Sequence, residues 1–279
     1  MSTPLSRTMT STLIPFTDHL LTEPEEVYAA KRRDWLSSHS LTDFRRNPRL
    51  YRHKQLGLVV EPDRASFAIG RAAHCRVLEG RAAFEERYAI GGPLNPKTGR
   101  PFGPDTKAFA EWAAQQGRPV VSEETAALCE QLTGAVQAHE EALALLAQGR
   151  AEGVVRCETS GVPCQGRLDW VHPERGIVDL KTIDDLDYFT LQARSFAYAH
   201  QLAFYRALLT AVSGHVAEVH VIVVEKKEPF RVGVWRFSEQ VLDAAGRENL
   251  AAIERLKVCR SEDRWPTGYE AVRSFDYLA

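Results

Sequence analysis

Up to about residue 149 the apolar residues of this chain recur at the three- and four-residue intervals of amphipathic helices; beyond it they shift to the two-residue alternation of strands. Residues 1 to about 25 read as a flexible arm. "EEVYAAKRRDWLSS" predicts a helix, and "SLTDFRRNPRLYRHKQ" predicts a Ser-capped helix interrupted near Pro48. "RASFAIGRAAHCRVLEG" predicts another, stopping at Gly80. The Gly- and Pro-rich run at residues 91–107 reads as a loop, the start of an excursion to about residue 120. "SEETAALCEQLTGAVQAHEEALALLAQG" then reads as one long amphipathic helix ending at Gly149.

The second half predicts "GVVRCETS", "CQGRLDWV" and "GIVDLKTI" as an antiparallel meander with turns at "GVP" and "HPERG". A helix, "FTLQARSFAYAHQLAFYRALLTAV", follows, then strands "EVHVIVVEK" and "RVGVWRF" and a closing helix "SEQVLDAAGRENLAAIERLKV". The order is β-β-β-α-β-β-α behind a helical front half: an α/β fold, one domain over residues 26–279. No internal repeat or low-complexity tract interrupts it.

Three polar residues break the apolar pattern where burial is costly: Asp169, Asp179 and Lys181. Alternation puts Asp179 and Lys181 on one face of a strand, roughly 7 Å apart along it. Asp169 falls on the preceding strand of a tight hairpin, so the two carboxylates can converge at one end of the sheet. Two acids beside an ammonium suit a hard divalent cation such as Mg²⁺; a structural Asp–Lys ion pair accounts for the spacing equally well. Gln201 and Tyr205, four apart on the next helix, share a face and offer donors for phosphate oxygens and a ring for a sugar or base. An ordinary amphipathic face has the same look. His74, in the helix ending at Gly80, is either a satisfied core histidine or a third metal ligand.

Composition narrows the setting. The chain has 279 residues, is 44% hydrophobic and 26% charged, and carries a formal net charge of −2. That is the profile of a folded soluble protein and not of a polycation. Charge is uneven, however: Lys31 to Lys54 holds eight Lys/Arg against two acids, whereas Val121 to Ser160 holds seven acids against two bases. The basic strip, with Arg45, Arg46 and Arg49, reads either as a polyanion guide or as a solvated helix face. Five cysteines without a C-x-x-C pair argue against a zinc ribbon or disulfide framework and for a reducing compartment. No segment of about 18 apolar residues is present to span a membrane, and the expected location is the cytoplasm. Phosphate-binding G-x-x-x-x-G-K-[ST], G-x-S-x-G and H-E-x-x-H motifs are absent.

Taken together, "GRLDW…GIVDLKT" resembles motifs II and III of the PD-(D/E)xK nuclease superfamily. "QLAFY" and "GRAAHCRVLE" are similar to the Q-x-x-x-Y and G-x-x-x-H motifs of its RecB-like branch. "LSSHSLTDFRRNPRLY" is similar to the segment that opens such domains. The order of motifs over residues 35 to 260 is most like phage and prophage exodeoxyribonuclease VIII-type proteins. The resemblance implies a restriction-endonuclease-like core, a mixed β-sheet flanked by helices, binding Mg²⁺ or Mn²⁺. It implies metal ligation by Asp169, Asp179, His74, the backbone carbonyl of Leu180 and Glu158. It assigns Lys181 as the catalytic lysine and places Gln201 and Tyr205 beside the reacting phosphate. The activity it implies is exonucleolytic hydrolysis of linear duplex DNA, 5′ to 3′, for phage-type recombination, by a homo-oligomer working with a single-strand annealing protein in a bacterial host cell. An endonuclease on the same core, or a DNA-binding protein with a vestigial site, are the alternatives. Two departures stand out: Leu168 replaces the proline of motif II, and the four-cysteine iron–sulfur staple of some relatives is missing.

Overall fold

A computed structural model describes residues 14–60, 65–103 and 105–274. In chain order the elements are α1 (Glu25–Ala30), α2 (Ser38–Arg46), α3 (Pro48–Gln55), α4 (Ala65–His74), α5 (Gly80–Arg87), β1 (Ala89–Ile90), α6 (Lys107–Gln116), β2 (Val120–Val121), α7 (Glu123–Ala138), α8 (Glu140–Leu146), β3 (Arg150–Thr159), β4 (Val162–His172), β5 (Gly176–Ile183), α9 (Phe189–Ser195), α10 (Tyr198–Ser213), β6 (Val219–Glu225), β7 (Val232–Arg236) and α11 (Glu239–Glu262). The principal sheet runs β3-β4-β5-β6-β7. Within this sheet, among the described residues, only β5 and β6 pair in parallel; the other neighbours are antiparallel. A parallel pair needs a long crossover, and residues 184–218 supply it with α9 and α10. The expected mixed sheet flanked by helices is the fold observed.

Alternation on β6 shows why the sheet is covered on both sides. Val219, Val221 and Val223 join the core that includes α2, α10 and α11, while Ile222 and Val224 join the core that includes α7 and α8. A strand buried on both faces reads as a continuous apolar run, and "VHVIVV" does. Ile222 is fully buried, so truncating it to Ala should cost about 2–5 kcal/mol through lost transfer energy and a residual cavity.

The helical punctuation differs from the expected pattern in three places. The helix expected over residues 25–38 stops at Ala30 and passes into a 3-10 turn, Lys31–Arg33, so that Ser38 opens α2 instead. Gly80 does end the helix begun at residue 65, as expected: it finishes as a π turn, Cys75–Glu79, and Gly80 (φ +91°, ψ 179°) marks the joint to α5. The long helix expected up to Gly149 is divided at His139, whose extended backbone separates α7 from α8 and whose Nδ1 accepts the Ala142 N–H. The helix after β5 is divided at Ala197, which adopts a left-handed conformation (φ 57°, ψ 41°). Periodicity is blind to such breaks because the apolar stripe continues across them.

The expected N-terminal arm is also docked over its described part. Phe16 and Leu20 are buried in the core, and Leu21 forms an antiparallel bridge with Val154 of β3. Residues 1–13 of that arm lie outside the described residues. The interruption near Pro48 is as expected: Ser37 caps α2, Asn47 caps α3, and Pro48 takes the first helical position, where its missing N–H is harmless.

Candidate active site

The hairpin between β4 and β5 sets the geometry. His172 Nδ1 accepts the backbone N–H groups of Glu174 and Arg175 at 3.2 and 3.1 Å, fixing a short turn. Trp170 pairs with Val178, and continuing that register sets Asp169 opposite Asp179. There the ladder gives way to a side chain: Leu180 N–H donates to Asp169 Oδ2 at 3.0 Å. The N–H and C=O of one strand residue face the same neighbour, so the Leu180 carbonyl opens into the same gap.

On β5 the face toward α10 reads Ile177, Asp179, Lys181, Ile183, with both isoleucines in the core. The two middle positions are charged. Lys181 Nζ lies 2.6 Å from Asp179 Oδ2. Asp179 is 1% exposed, and neither of its oxygens meets a donor in good hydrogen-bond geometry. Burial, reinforced by the Asp169 carboxylate and opposed by Lys181, pushes its carboxyl up to about 6. Burial alone would lower the Lys181 ammonium, but Asp179 and Asp169 outweigh it and hold Lys181 above its ordinary value. The Lys181 ammonium also sits over the Tyr198 ring, 5.1 Å from its centroid.

A third acid comes from β3. Among the described residues, His74, Glu152 and Asp169 form a group whose donor atoms lie within 4.8 Å of one another. His74 Nδ1 is 3.5 Å from Asp169 Oδ2. Burial and the Asp169 charge raise the Glu152 carboxyl to about 8, although Arg167 Nε stands 2.6 Å away. Closely spaced acids, an imidazole and the orphaned oxygens of Asp179 fit a divalent cation of the Mg²⁺ or Mn²⁺ kind, oxygen-rich with one nitrogen. Glu158, expected in this role, is elsewhere. It pairs with Pro163 beside the far turn of the β3–β4 hairpin, roughly 20 Å along the strand from the position opposite Asp169. Glu152 fills the place, and counting back symmetrically from the Ser160–Gly161 turn identifies it.

Gln201 and Tyr205 lie where α10 passes this face, but they do different work from each other. Tyr205 is 5% exposed; its hydroxyl receives bonds from Gln201 Nε2 and Ser38 Oγ, each at 3.2 Å. Its ring packs so closely on β4 that a Cβ at Gly166 would come within 2.9 Å. The ring is therefore closed to a sugar or base, contrary to expectation. Tyr205 is a positioning residue, tying α2 and α10 together and holding Gln201. Ser38 lies within the segment "LSSHSLTDFRRNPRLY" noted in the sequence, though nothing there pointed to a bond with Tyr205. His39, the next residue, is exposed yet close enough to feel its surroundings. Crowding by protein, then the Lys181 and Arg32 cations, holds its imidazole below the ordinary range.

Comparison with known proteins bears on this geometry. The profile of a PDDEXK-like domain of unknown function (DUF3799) matches residues 37–276. The chain belongs to this family. A search of curated proteins finds no match. Among solved structures the PDDEXK-like chain is similar to a crystal structure named "Putative exonuclease" from Eubacterium rectale. The TM-score is 0.65 at 13% identity, covering 92% of this chain and 97% of that one. Such a likeness speaks for the shared fold.

In this PDDEXK-like chain the residues that resemble the signature in the sequence are Leu168-Asp169 and Asp179-Leu180-Lys181. Leu168 is fully buried and pairs with Gly153, so the position usually held by proline here serves the core and the ladder. The basic strip is less free than its charge suggests. Arg45 turns toward α11, reaching Asn249 Oδ1 at 3.5 Å and Glu248 at 3.8 Å. Arg46 donates to the Ser195 carbonyl at 2.7 Å and Arg49 to the Trp265 carbonyl at 3.3 Å, both side chains remaining at the surface. These bonds bind α2 and α3 to the C-terminal half. No helix of the described residues is long and apolar enough to cross a membrane.

Proposed function

We propose that this protein is a metal-dependent exodeoxyribonuclease that hydrolyses linear duplex DNA from its ends, 5′ to 3′, in phage-type recombination. The observation that carries the reading is Asp179: a buried carboxylate opposite Asp169, with Oδ2 against Lys181 and Oδ1 without a donor. A buried carboxylate left with an open oxygen is costly unless something completes it, and a cation with its phosphate would. The name of the Eubacterium rectale structure supports the exonuclease class.

His74, Glu152, Asp169 and Asp179, with the Leu180 carbonyl, would hold Mg²⁺ or Mn²⁺. Such an ion supplies a more acidic bound water and a clamp on the phosphate. Lys181, held as an ammonium, is a donor and not a base. It orients the attacking water or stabilises negative charge developing on the phosphate. Gln201, fixed through Tyr205, presents its amide to a phosphate oxygen. Hydrolysis adds water across the P–O3′ bond, and the leaving 3′-oxygen takes up a proton. Arg46 and Arg49 bind backbone phosphates. A homo-oligomer, a single-strand annealing partner and a cytoplasmic setting in a bacterial host complete the proposal.

The test is incubation with Mg²⁺ and two matched duplexes, one linear and one covalently closed. Linear DNA should be consumed from its ends with early release of 5′ label while circles survive. Rapid nicking of circles would make the protein an endonuclease, early release of 3′ label would overturn the polarity, and binding without cleavage would leave a non-catalytic DNA-binding protein.

A further inference from the structure

The break at Ala197 lies beside the catalytic lysine and has a visible effect on two aromatic rings. On an uninterrupted helix, residues two apart point about 200° away from each other and do not meet. Here the left-handed turn at Ala197, a conformation unfavourable to a residue with a Cβ, brings Phe196 and Tyr198 together. Their rings stack with centroids 5.9 Å apart and planes 21° from parallel. Tyr198 is anchored on its other sides by Phe189 at 6.4 Å and by the Lys181 ammonium at 5.1 Å. Phe189 in turn packs on Trp235 at 4.3 Å. Four rings thus adjoin in a row, with Phe189 buried, and the last of them, Phe196, is 56% exposed.

A single exposed phenylalanine needs no explanation. This one is held at a strained turn, backed by a stacked ring, and within about 11 Å of Lys181 Nζ by way of Tyr198. That distance is about three steps at the 3.4 Å rise per nucleotide of a stacked strand. Exposed Arg194 and Arg46, the latter bonded to the Ser195 carbonyl, supply cations next to it. We propose that Phe196 is a stacking platform for a nucleobase of the DNA strand held in the site, a few nucleotides from the phosphate attacked. The inference rests on the nuclease reading and adds a residue to it. An aromatic platform accepts every base, since each has a π face, which suits an enzyme that degrades DNA without regard to sequence.

The test uses a fluorescently labelled 12-nucleotide single strand with Ca²⁺ replacing Mg²⁺, so that binding is read without cleavage. Phe196→Ala and Phe196→Leu should each weaken binding about 5- to 100-fold, while Phe196→Trp retains it. One abasic nucleotide, moved along the strand, should reproduce the loss at a single position in the parent and add nothing there in Phe196→Ala. Leucine binding as well as tryptophan, or abasic losses that add to Phe196→Ala at every position, would overturn the platform. So would a Phe196→Ala protein that binds DNA normally but no longer forms a concentration-dependent oligomer in sedimentation, because the ring would then be a self-association surface. A parent protein that neither binds nor cleaves DNA would refute the nuclease reading itself, before Phe196 is changed.

Discussion

Asp179 and Glu225 are buried carboxylates on neighbouring strands of one sheet, 1% and 4% exposed, and their surroundings are opposite in kind. Glu225 is closed by fixed donors. Arg231 reaches both of its oxygens at 2.6 and 2.9 Å, and the Leu186 N–H adds a bond of 2.7 Å. Those bonds hold its carboxyl down at about 2. Asp179 has Lys181 alone and is pushed up to about 6. Burial therefore does not separate a structural acid from a functional one. What separates them is whether the protein itself supplies donors for every lone pair.

The largest expected effects break the contrast at the open end. Asp179→Ala or Lys181→Ala should lower the cleavage rate on linear duplex at least about 100-fold while circular dichroism shows the fold retained. A variant at either position with near-parental rates would remove the site assignment.

Glu225→Gln should behave the other way round. It gives up charged hydrogen bonds, so unfolding in urea should show a loss of about 1–3 kcal/mol, while the rate per folded molecule stays within about twofold. The pH dependence follows with its sign. Because the folded-state value of Glu225 lies below its ordinary 4.5, its contribution is complete above that pH and drains away as pH falls toward about 2. Acid unfolding of Glu225→Gln should therefore be less steep across that window than acid unfolding of the parent. Equal slopes would mean that the Arg231 bonds do not hold the carboxyl down.

A smaller effect sharpens the comparison at the strained joint. Ala197→Gly should raise stability by about 0.5–1 kcal/mol in thermal unfolding, since glycine adopts the left-handed conformation without the Cβ penalty and gives back part of the gain as chain entropy. A destabilised variant would show that Ala197 carries no strain. Smallest of all, Arg46→Ala with Arg49→Ala should flatten the slope of log affinity against log salt by roughly 0.9 for every phosphate that the variant leaves unneutralised. An unchanged slope would leave these arginines as inter-element ties only.

Much of this was legible in the chain. Short β-rich runs between turn residues located all five strands of the principal sheet, and the hairpin spacing set Asp169 against Asp179 because register in a short hairpin is local. The same counting, carried one strand further, reaches Glu152, so the expectation of Glu158 misread the position opposite and was not a limit of the sequence. Tyr205 was a different matter. Its four-residue spacing from Gln201 was correct, but whether its ring faced solvent or Gly166 depended on how closely α10 lies on β4.

Sequence alone determined what is local: strand alternation, the Pro48 boundary, and the three charges set into an apolar stripe. These follow from backbone geometry and from side-chain chemistry within a few residues. Tertiary structure decided what depends on separate elements meeting in space. It brought His74 from α4 to Asp169, Ser38 from α2 to Tyr205, and the Leu186 N–H to Glu225 while leaving Asp179 open. It also let the chain bear the break at Ala197, because such a turn is unfavourable by itself and persists only where surrounding packing holds it.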